Sequence, residues 1–305
     1  GRYFVGPTYS SAEIAVYGPD GRFLRVLGRE GQGPGEFQGV RGVRVTGDDT
    51  LHVLSFGRHT AMFPDGKVIS TTHIPLGFAG QFHILGDGRI LVGAHVQTPS
   101  LIGYPAHLLD REGNRVRSFG SSSDVPVGFT YFGGMKSVGS IRGDRVWLHP
   151  AGEYRIELWD TAGTHRKTLL QETGWLKPWT RGVAGEPFRV KPQARLFHVH
   201  EDPSGRLWVI GWVPDRDWRP QSQTADYEPV HDCVVEVLDP ETGSLLASQR
   251  FDQKDQLFYQ FIEDGLVYSR NVEPETGVPL IHIWRMKLVG PLERRAPWVA
   301  VFPFS

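Results

Sequence analysis

The chain has 305 residues, of which 39% are hydrophobic, and these values are typical of a globular protein with a substantial core. Its 33 basic and 34 acidic residues give a net charge of −1, which argues against a nucleic-acid-binding surface, because such surfaces carry excess positive charge. No stretch is long and apolar enough to span a bilayer, and the single cysteine, Cys233, excludes an internal disulfide.

The first apolar run, Tyr3 to Val5, begins two residues into the chain and is typical of a β-strand. No signal peptide precedes this run. We therefore expect that a segment upstream of residue 1 has been cleaved, trimmed or left out.

The most distinctive segment, residues 28–37, has the sequence Gly-Arg-Glu-Gly-Gln-Gly-Pro-Gly-Glu-Phe and lies between two strand-like runs. Its four glycines and one proline exclude a helix or an interior strand. A phosphate-binding loop needs a helix N-terminus after its glycines, usually opened by Lys and Ser or Thr. Here Glu36, Phe37 and a strand follow the glycines, which favours a linker between two sheets.

Two series of short turns recur along the chain. The first has its aspartates at positions 20, 65, 110, 160 and 239, and a weaker sixth copy lies at Val289-Gly290-Pro291. The second series interleaves with the first at Gly47-Asp48-Asp49, Gly86-Asp87-Gly88, Arg142-Gly143-Asp144, Asp202-Pro203-Ser204-Gly205 and Glu263-Asp264-Gly265. Asp/Gly connections this short between alternating apolar runs are typical of β-hairpins.

Two hairpins in each repeat of about 45 residues predict a four-stranded antiparallel blade. Six copies of the turn predict an all-β, six-bladed β-propeller, with residues 1–305 as a single domain. The interval of 79 residues between Asp160 and Asp239 is predicted to hold an insertion rather than a seventh blade. The first blade is expected to begin at its second strand. The tail, residues 291–305, could supply either the outer strand of the last blade or the missing inner strand of the first.

In such blades both series of tight turns lie at one end of the strands, so every long connection is predicted at the other end. The predicted long connections are the linkers 28–39, 119–134 and 171–193 and the loops 94–105, 212–231 and 271–279. Long loops on a rigid scaffold frequently carry function. This long-loop face is therefore the predicted interaction surface.

The two longest connections bracket the fifth blade and hold the candidate partner-binding residues. Trp and Arg are enriched at binding hot spots. The candidates are Trp175, Trp179, Arg181, Trp212, Arg216, Trp218 and Arg219. The alternative interpretation is that each tryptophan pins its loop onto its own blade.

His198 and His200 are the best metal candidates, because residues two apart on a strand share a face and could bind one ion. His83 holds a comparable position in the third blade, and residues 231–233, His-Asp-Cys, add further possible ligands. Two strand histidines are weak support for a metal site, so partly buried histidines between neighbouring blades are the favoured interpretation. Cys233 is predicted to be a structural thiol. We predict no catalytic residue, metal or other cofactor.

Residues 28–37, together with the repeated Asp-Gly and strand pattern, resemble the bacterial six-bladed propellers related to NHL repeats. Many such relatives are exported, so the resemblance implies a periplasmic or cell-surface location, but it implies no single reaction. Calcium-dependent lactonase propellers also resemble this architecture, and they bind metal through Glu, Asn and Asp. This chain has only two asparagines, Asn114 and Asn271, and Asn114 falls in a tight turn on the wrong face, so those ligands do not carry over.

The sequence therefore favours a non-catalytic interaction module, an accessory or scaffolding subunit of an extracytoplasmic assembly. It would contact a protein partner through the long-loop face, without nucleic acid, and would meet a membrane only through a partner or through upstream residues. The alternative function is a metal-dependent lactonase or lyase that acts at the channel mouth. A third hypothesis is glycan binding by exposed tryptophans.

Overall fold

The fold consists of antiparallel β-sheets. The computed structural model describes residues 1–6, 11–76, 78–96, 98, 100–120, 136–179, 191–220, 230–252, 256–263, 265–272, 279–290 and 298–303. These residues contain 23 β-strands and no α-helix. The strands form one three-stranded and five four-stranded sheets, which are the six blades of a β-propeller fold, as the turn series predict. No helix in the described ranges is long and apolar enough to cross a bilayer.

Three blades lie in a first compact unit, Gly1–Ser123 with Thr161–Thr164. Blade one consists of β1 (Tyr3–Val5), β2 (Ile14–Tyr17) and β3 (Phe23–Leu27). Blade two consists of β4 (Val40–Val45), β5 (Leu51–Ser55), β6 (Arg58–Met62) and β7 (Val68–His73). Blade three consists of β8 (Phe78–Ile84), β9 (Ile90–His95), β10 (Ala106–Leu109) and β11 (Arg115–Phe119).

The other three blades lie in a second compact unit, Asp124–Asp160 with His165–Ser305. Blade four consists of β12 (Lys136–Arg142), β13 (Arg145–Pro150), β14 (Arg155–Asp160) and β15 (His165–Leu170). Blade five consists of β16 (Arg195–Glu201), β17 (Leu207–Pro214), β18 (His231–Leu238) and β19 (Leu245–Phe251). Blade six consists of β20 (Phe258–Glu263), β21 (Leu266–Val272), β22 (Pro279–Val289) and β23 (Trp298–Pro303).

The tail of the chain belongs to blade six. β23 pairs antiparallel with β22, from Val289 opposite Trp298 to Trp284 opposite Pro303. Of the two places that the sequence left open for the tail, the structure therefore has the outer strand of the last blade. Blade one keeps three described strands, and β1 is paired with β2.

Both series of tight turns place one residue in the left-handed backbone region. Apart from the weaker sixth copy of the first series, glycine takes this position in nine of the ten turns, with φ between 62° at Gly143 and 95° at Gly66. Glycine reaches this conformation without strain because it has no Cβ. In the turn between β4 and β5 the same position is held by Asp49, whose φ is 61°.

The core clusters each join blades that follow one another in the chain. In the second unit, Leu207 and Val209 of β17 pack into the cluster shared with β13 and β14, whereas Trp208 and Ile210 pack into the cluster shared with β20 and β22. Successive residues of a strand point to opposite faces. Because both faces of β17 are covered, its sequence is continuously apolar rather than alternating.

The linker of residues 28–37 is anchored by its last residue. Phe37 is fully buried in the cluster between blades one and two, and its ring lies where a Cβ on Gly28 would be. The Glu36 carboxylate accepts the Gly33 N–H at 2.8 Å and the Arg29 Nε–H at 2.8 Å. These two bonds, with the Gly33 contribution the larger, lower the pKa of Glu36. The segment is a linker between β3 and β4, as predicted, and no helix follows it.

A buried pair of histidines lies in blade two. His52 Nδ1 and His59 Nε2 are 3.0 Å apart, and the two rings are stacked with centroids separated by 5.1 Å. Burial, and secondarily the neighbouring His52, lowers the pKa of His59 to about 4. Burial also lowers the pKa of His52, so both rings are neutral at pH 7, and one N–H is shared between the two facing ring nitrogens.

We expect the substitution Asp49→Gly to stabilise the protein, because glycine removes the cost of a left-handed backbone at this turn. The gain in the free energy of unfolding should be up to about 1 kcal/mol. Chemical denaturation monitored by tryptophan fluorescence measures it. The neighbouring Asp48→Gly is the control, and it should destabilise, since the Asp48 carboxylate accepts bonds from Thr46 Oγ1 and the Thr50 N–H. A loss of stability in Asp49→Gly would contradict this account.

The His59 imidazole should make folding sensitive to acid. Its pKa is lower in the folded state than the unfolded value of about 6.5, so the unfolded state binds more protons between these two values. Stability is thus complete above about pH 6.5 and falls by at most roughly 3 kcal/mol as the pH approaches the folded-state pKa. Urea unfolding at pH 7.5 and pH 5 should show a smaller difference for His59→Leu than for the wild type. His165→Gln, at an exposed position of β15, should retain the wild-type difference.

Candidate partner-binding surface

Trp175 and Trp179 fasten the linker between β15 and β16 onto the second unit. The Trp175 indole N–H donates to Glu236 Oε1 at 3.0 Å, and its ring occupies the space above Gly211. The Trp179 indole N–H donates to the Ala194 carbonyl at 2.6 Å. Both rings are half-buried. These contacts are those of the alternative interpretation, in which tryptophans pin long connections onto their blades.

Trp212 lies inside β17 rather than in a loop, so its predicted placement is wrong. The strand continues to Pro214, and Trp212 is only 7% exposed. Its indole N–H donates to the Phe258 carbonyl at 2.8 Å, and its ring is stacked on Phe197 with centroids 3.9 Å apart. A partner therefore has little access to Trp212, which packs inside the protein beneath Phe197.

The sequence analysis missed an aromatic cluster around Trp212. Tyr259 contacts Trp212 edge-to-face at 5.0 Å and stacks on Tyr268 at 5.4 Å. The Arg195 guanidinium carbon lies 4.5 Å from the centre of the Trp212 ring, in cation–π distance. Phe197 and Tyr259 are half-buried, so the cluster reaches the surface. The alternation of Arg195 and Phe197 along β16 is the sequence signal that indicates their shared face.

The loop that follows β17 is held at its base. The Asp215 N–H donates to the Val230 carbonyl at 3.1 Å, which closes the loop between β17 and β18. The Asp215 carboxylate accepts the Asp217 N–H at 2.6 Å, and the Asp215 carbonyl accepts the Trp218 N–H at 3.3 Å. The described part of this loop is therefore a hydrogen-bonded turn with defined side-chain directions.

This turn brings three of the predicted residues together. Arg216 and Arg219 are exposed and Trp218 is half-buried. Arg216 pairs with Asp252, which follows β19, at 3.6 Å between Nη1 and Oδ2. The candidate surface therefore consists of Arg216, Trp218 and Arg219, with the aromatic cluster that blade five shares with blade six. Arg181 and residues 221–229 lie outside the described residues.

The histidines proposed as metal ligands are packed against an aromatic ring. His200 stacks on Phe261 at 4.5 Å, and His198, which is 4% exposed, lies 6.3 Å from the same ring. The two side chains share a face, as their spacing predicts, but that face packs on β20. His83 lies on β8, in the first unit. Within the described ranges, no group of three or more His, Cys, Asp or Glu side chains is placed to hold a metal ion.

The side chains of residues 231–233, which the sequence offered as further metal ligands, have different surroundings and do not form one site. Burial, and then the nearby Arg195, lowers the pKa of His231 to about 4. Asp232 is paired with Arg250, whose Nε lies 2.8 Å from its carboxylate. Cys233 is fully buried, and burial raises the pKa of its thiol to about 12. A thiol protonated at neutral pH is a poor nucleophile, which fits the structural role predicted for it.

Buried carboxylates in the second unit are satisfied by tryptophans. Among the described residues, four indole N–H groups donate to carboxylate oxygens: Trp147 to Glu201 at 2.5 Å, Trp159 to Glu157 at 2.9 Å, Trp175 to Glu236 at 3.0 Å and Trp208 to Asp202 at 2.9 Å. Burial acts to raise the pKa of Asp202, but hydrogen bonds from Ser204 and Trp208 outweigh it and lower that pKa to about 2. These acids are engaged in the framework of the sheets rather than free for general acid or base chemistry.

No family model and no curated protein matches the sequence. Among solved structures, the chain is similar to a "putative exported protein" of Bacteroides fragilis, with 12% identity, a TM-score of 0.56, and 88% of this chain and 83% of that chain covered. It is also similar to a protein of unknown function from Bacteroides caccae, with 13% identity, a TM-score of 0.53 and coverages of 93% and 89%. A chain in a mitotic checkpoint complex matches with 12% identity, a TM-score of 0.52 and coverages of 99% and 73%. At these identities the similarity shows the fold alone.

Alanine substitutions should distinguish the structural Trp175 from the surface Trp218 by their effect on the free energy of unfolding. Trp175→Ala removes a packed ring and one donor to the buried Glu236, so we expect a loss of about 2–4 kcal/mol in the free energy of unfolding. Trp218→Ala should cost about 1 kcal/mol or less, because its ring is on a surface turn. Urea unfolding measured by circular dichroism provides both values. Equal losses of unfolding free energy in Trp175→Ala and Trp218→Ala would contradict the distinction between a structural and a surface tryptophan.

Proposed function

We propose that this protein is a non-catalytic interaction propeller that binds a protein partner through the turn after β17. The observation that carries the proposal is the presentation of Arg216, Trp218 and Arg219 on a turn closed by the Asp215–Val230 hydrogen bond. Because this hydrogen bond already restrains the turn, less conformational entropy is lost when a partner binds. Trp and Arg are also the residues most enriched among binding hot spots.

The chemistry of the surface indicates the kind of partner. An exposed Arg–Asp pair, Arg216 with Asp252, lies beside a second exposed arginine, Arg219. Charges of both signs around an aromatic side chain resemble the polar rim of a transient protein interface. The framework roles of Trp175, Trp179 and Trp212 leave Trp218 as the tryptophan of this set that a partner would bury.

We further propose that the chain acts as a single domain of the NHL-like kind and serves as an accessory or scaffolding subunit outside the cytoplasm. The support is the resemblance of residues 28–37 to the linkers of exported propellers. Among proteins of similar fold, one is described as a "putative exported protein" and another is a chain of a mitotic checkpoint complex. The metal-dependent enzyme gains no support from the described histidines, because His198 and His200 pack on Phe261.

The test is quantitative co-purification from the native source. The amount of partner that co-purifies with the tagged chain should fall at least tenfold when Arg216, Trp218 and Arg219 are all replaced by alanine. The matched control replaces Arg22, Phe63 and Lys67, likewise two cations and one aromatic, which lie exposed at the tight turns of blades one and two. The control should retain the signal. Full retention by the first variant, with circular dichroism unchanged, would overturn the proposal.

A further inference from the structure

A cleft lies beside blade two, in the first unit, whereas the residues of the proposed partner surface belong to the second unit. Its volume is about 480 Å³, and the linker of residues 28–37, the turn between β5 and β6, and the end of β7 provide its walls. Small-molecule sites in proteins typically have volumes of about 300–1,000 Å³. The cleft is thus large enough for a small organic ligand.

Arg58 gives this cleft a fixed positive charge. Its Nη1 donates to the Gln32 carbonyl at 2.6 Å, and its Nη2 donates to the Glu36 carbonyl at 2.7 Å. These acceptors are neutral backbone oxygens, and none of the described carboxylates forms an ion pair with Arg58. The carboxylate of Glu36, whose carbonyl accepts from Arg58, is directed to Arg29 and the Gly33 N–H instead. The guanidinium is therefore held in place without neutralisation of its charge.

The rest of the lining divides into a polar and an apolar part. The carboxamides of Gln32 and Gln38 and the imidazole of His73 supply hydrogen-bonding groups, and among the described residues no Asp or Glu lines the cleft. Phe56, 45% exposed, and Leu76 belong to the apolar part. A cation with neutral donors favours an anion, and a carboxylate accepts well from guanidinium and amide N–H groups. The apolar wall favours a ligand with a hydrocarbon body.

We propose that the cleft binds an organic carboxylate with an apolar body, its carboxylate directed to Arg58 and its body against Phe56. This small-ligand site is additional to the proposed partner surface and shares no residue with it. The carboxylate could belong to a free medium-chain acid or to the C-terminus of an apolar peptide, and the two sources share the same recognition chemistry.

Titration calorimetry and protein-observed NMR with defined probes test this proposal. Octanoate should bind at least tenfold more tightly than octanamide. An acetylated peptide that ends in a free leucine carboxylate, compared with its C-terminal amide, reports on the second source. Whichever of the two carboxylates, octanoate or the peptide C-terminus, binds with the higher affinity identifies the ligand class. Equal affinity of acid and amide in both pairs, or no binding of any probe at 5 mM, overturns the proposal.

Variants locate the site without relying on Arg58 alone, because loss of its bonds to the linker would disturb the fold. Phe56→Ala should weaken the binding of octanoate at least fivefold, and Arg58→Gln should remove the preference for acid over amide. Phe63→Ala is the matched control, since Phe63 is 47% exposed at the next turn and does not line the cleft. A similar loss of affinity in Phe56→Ala and Phe63→Ala, or NMR shifts confined to other blades, would contradict the assignment.

Discussion

The left-handed residue in each tight turn is the constraint on which the rest of the structure depends. A turn this short joins two antiparallel strands in one register, and a slip of one residue would move every side chain to the opposite face of the sheet. In β17 both faces are buried, against different clusters, so the register decides which residues meet blade four and which meet blade six. Because these turns close one end of the strands that they join, the long connections are left at the other end, and each proposed site lies at that end of its own blade.

Burial of charge explains why four of the described tryptophans in the second unit are structural. A carboxylate inside a sheet is costly unless hydrogen-bond donors surround it. Glu236 receives bonds from Trp175, from the Tyr154 hydroxyl at 2.7 Å and from the Ser248 hydroxyl at 3.1 Å. The same contact that fastens the linker to blade five therefore satisfies an acid within that blade. An indole suits this role because it supplies one N–H donor on a large apolar ring.

The linker of residues 28–37 shows how one segment can shape both the core and a surface. Phe37 joins the core between blades one and two, while the carbonyls of Gln32 and Glu36 hold the Arg58 guanidinium. Glycines allow this path, because a Cβ on Gly31 would overlap the Glu36 carboxylate. The segment resembles a phosphate loop in composition alone. Its Gly33 N–H is taken by the segment's own Glu36 carboxylate, and the carbonyls of Gln32 and Glu36 accept from the Arg58 guanidinium.

The sequence by itself determined the strands, the turns and the number of blades, because these follow from local chemistry: alternating or continuous apolar runs, and Asp-Gly pairs at a regular interval. It also predicts a candidate surface in the long connections, whereas the aromatic residues of β16, β20 and β21 stood outside that prediction. Only the tertiary structure decided that the tail pairs with β22, that Trp212 is inside a strand and that Trp175 serves Glu236. It also brought Arg58, Gln38 and His73 to one cleft. These contacts join residues far apart in the chain, and their formation depends on which surfaces the packing of neighbouring strands leaves open, which no local pattern records.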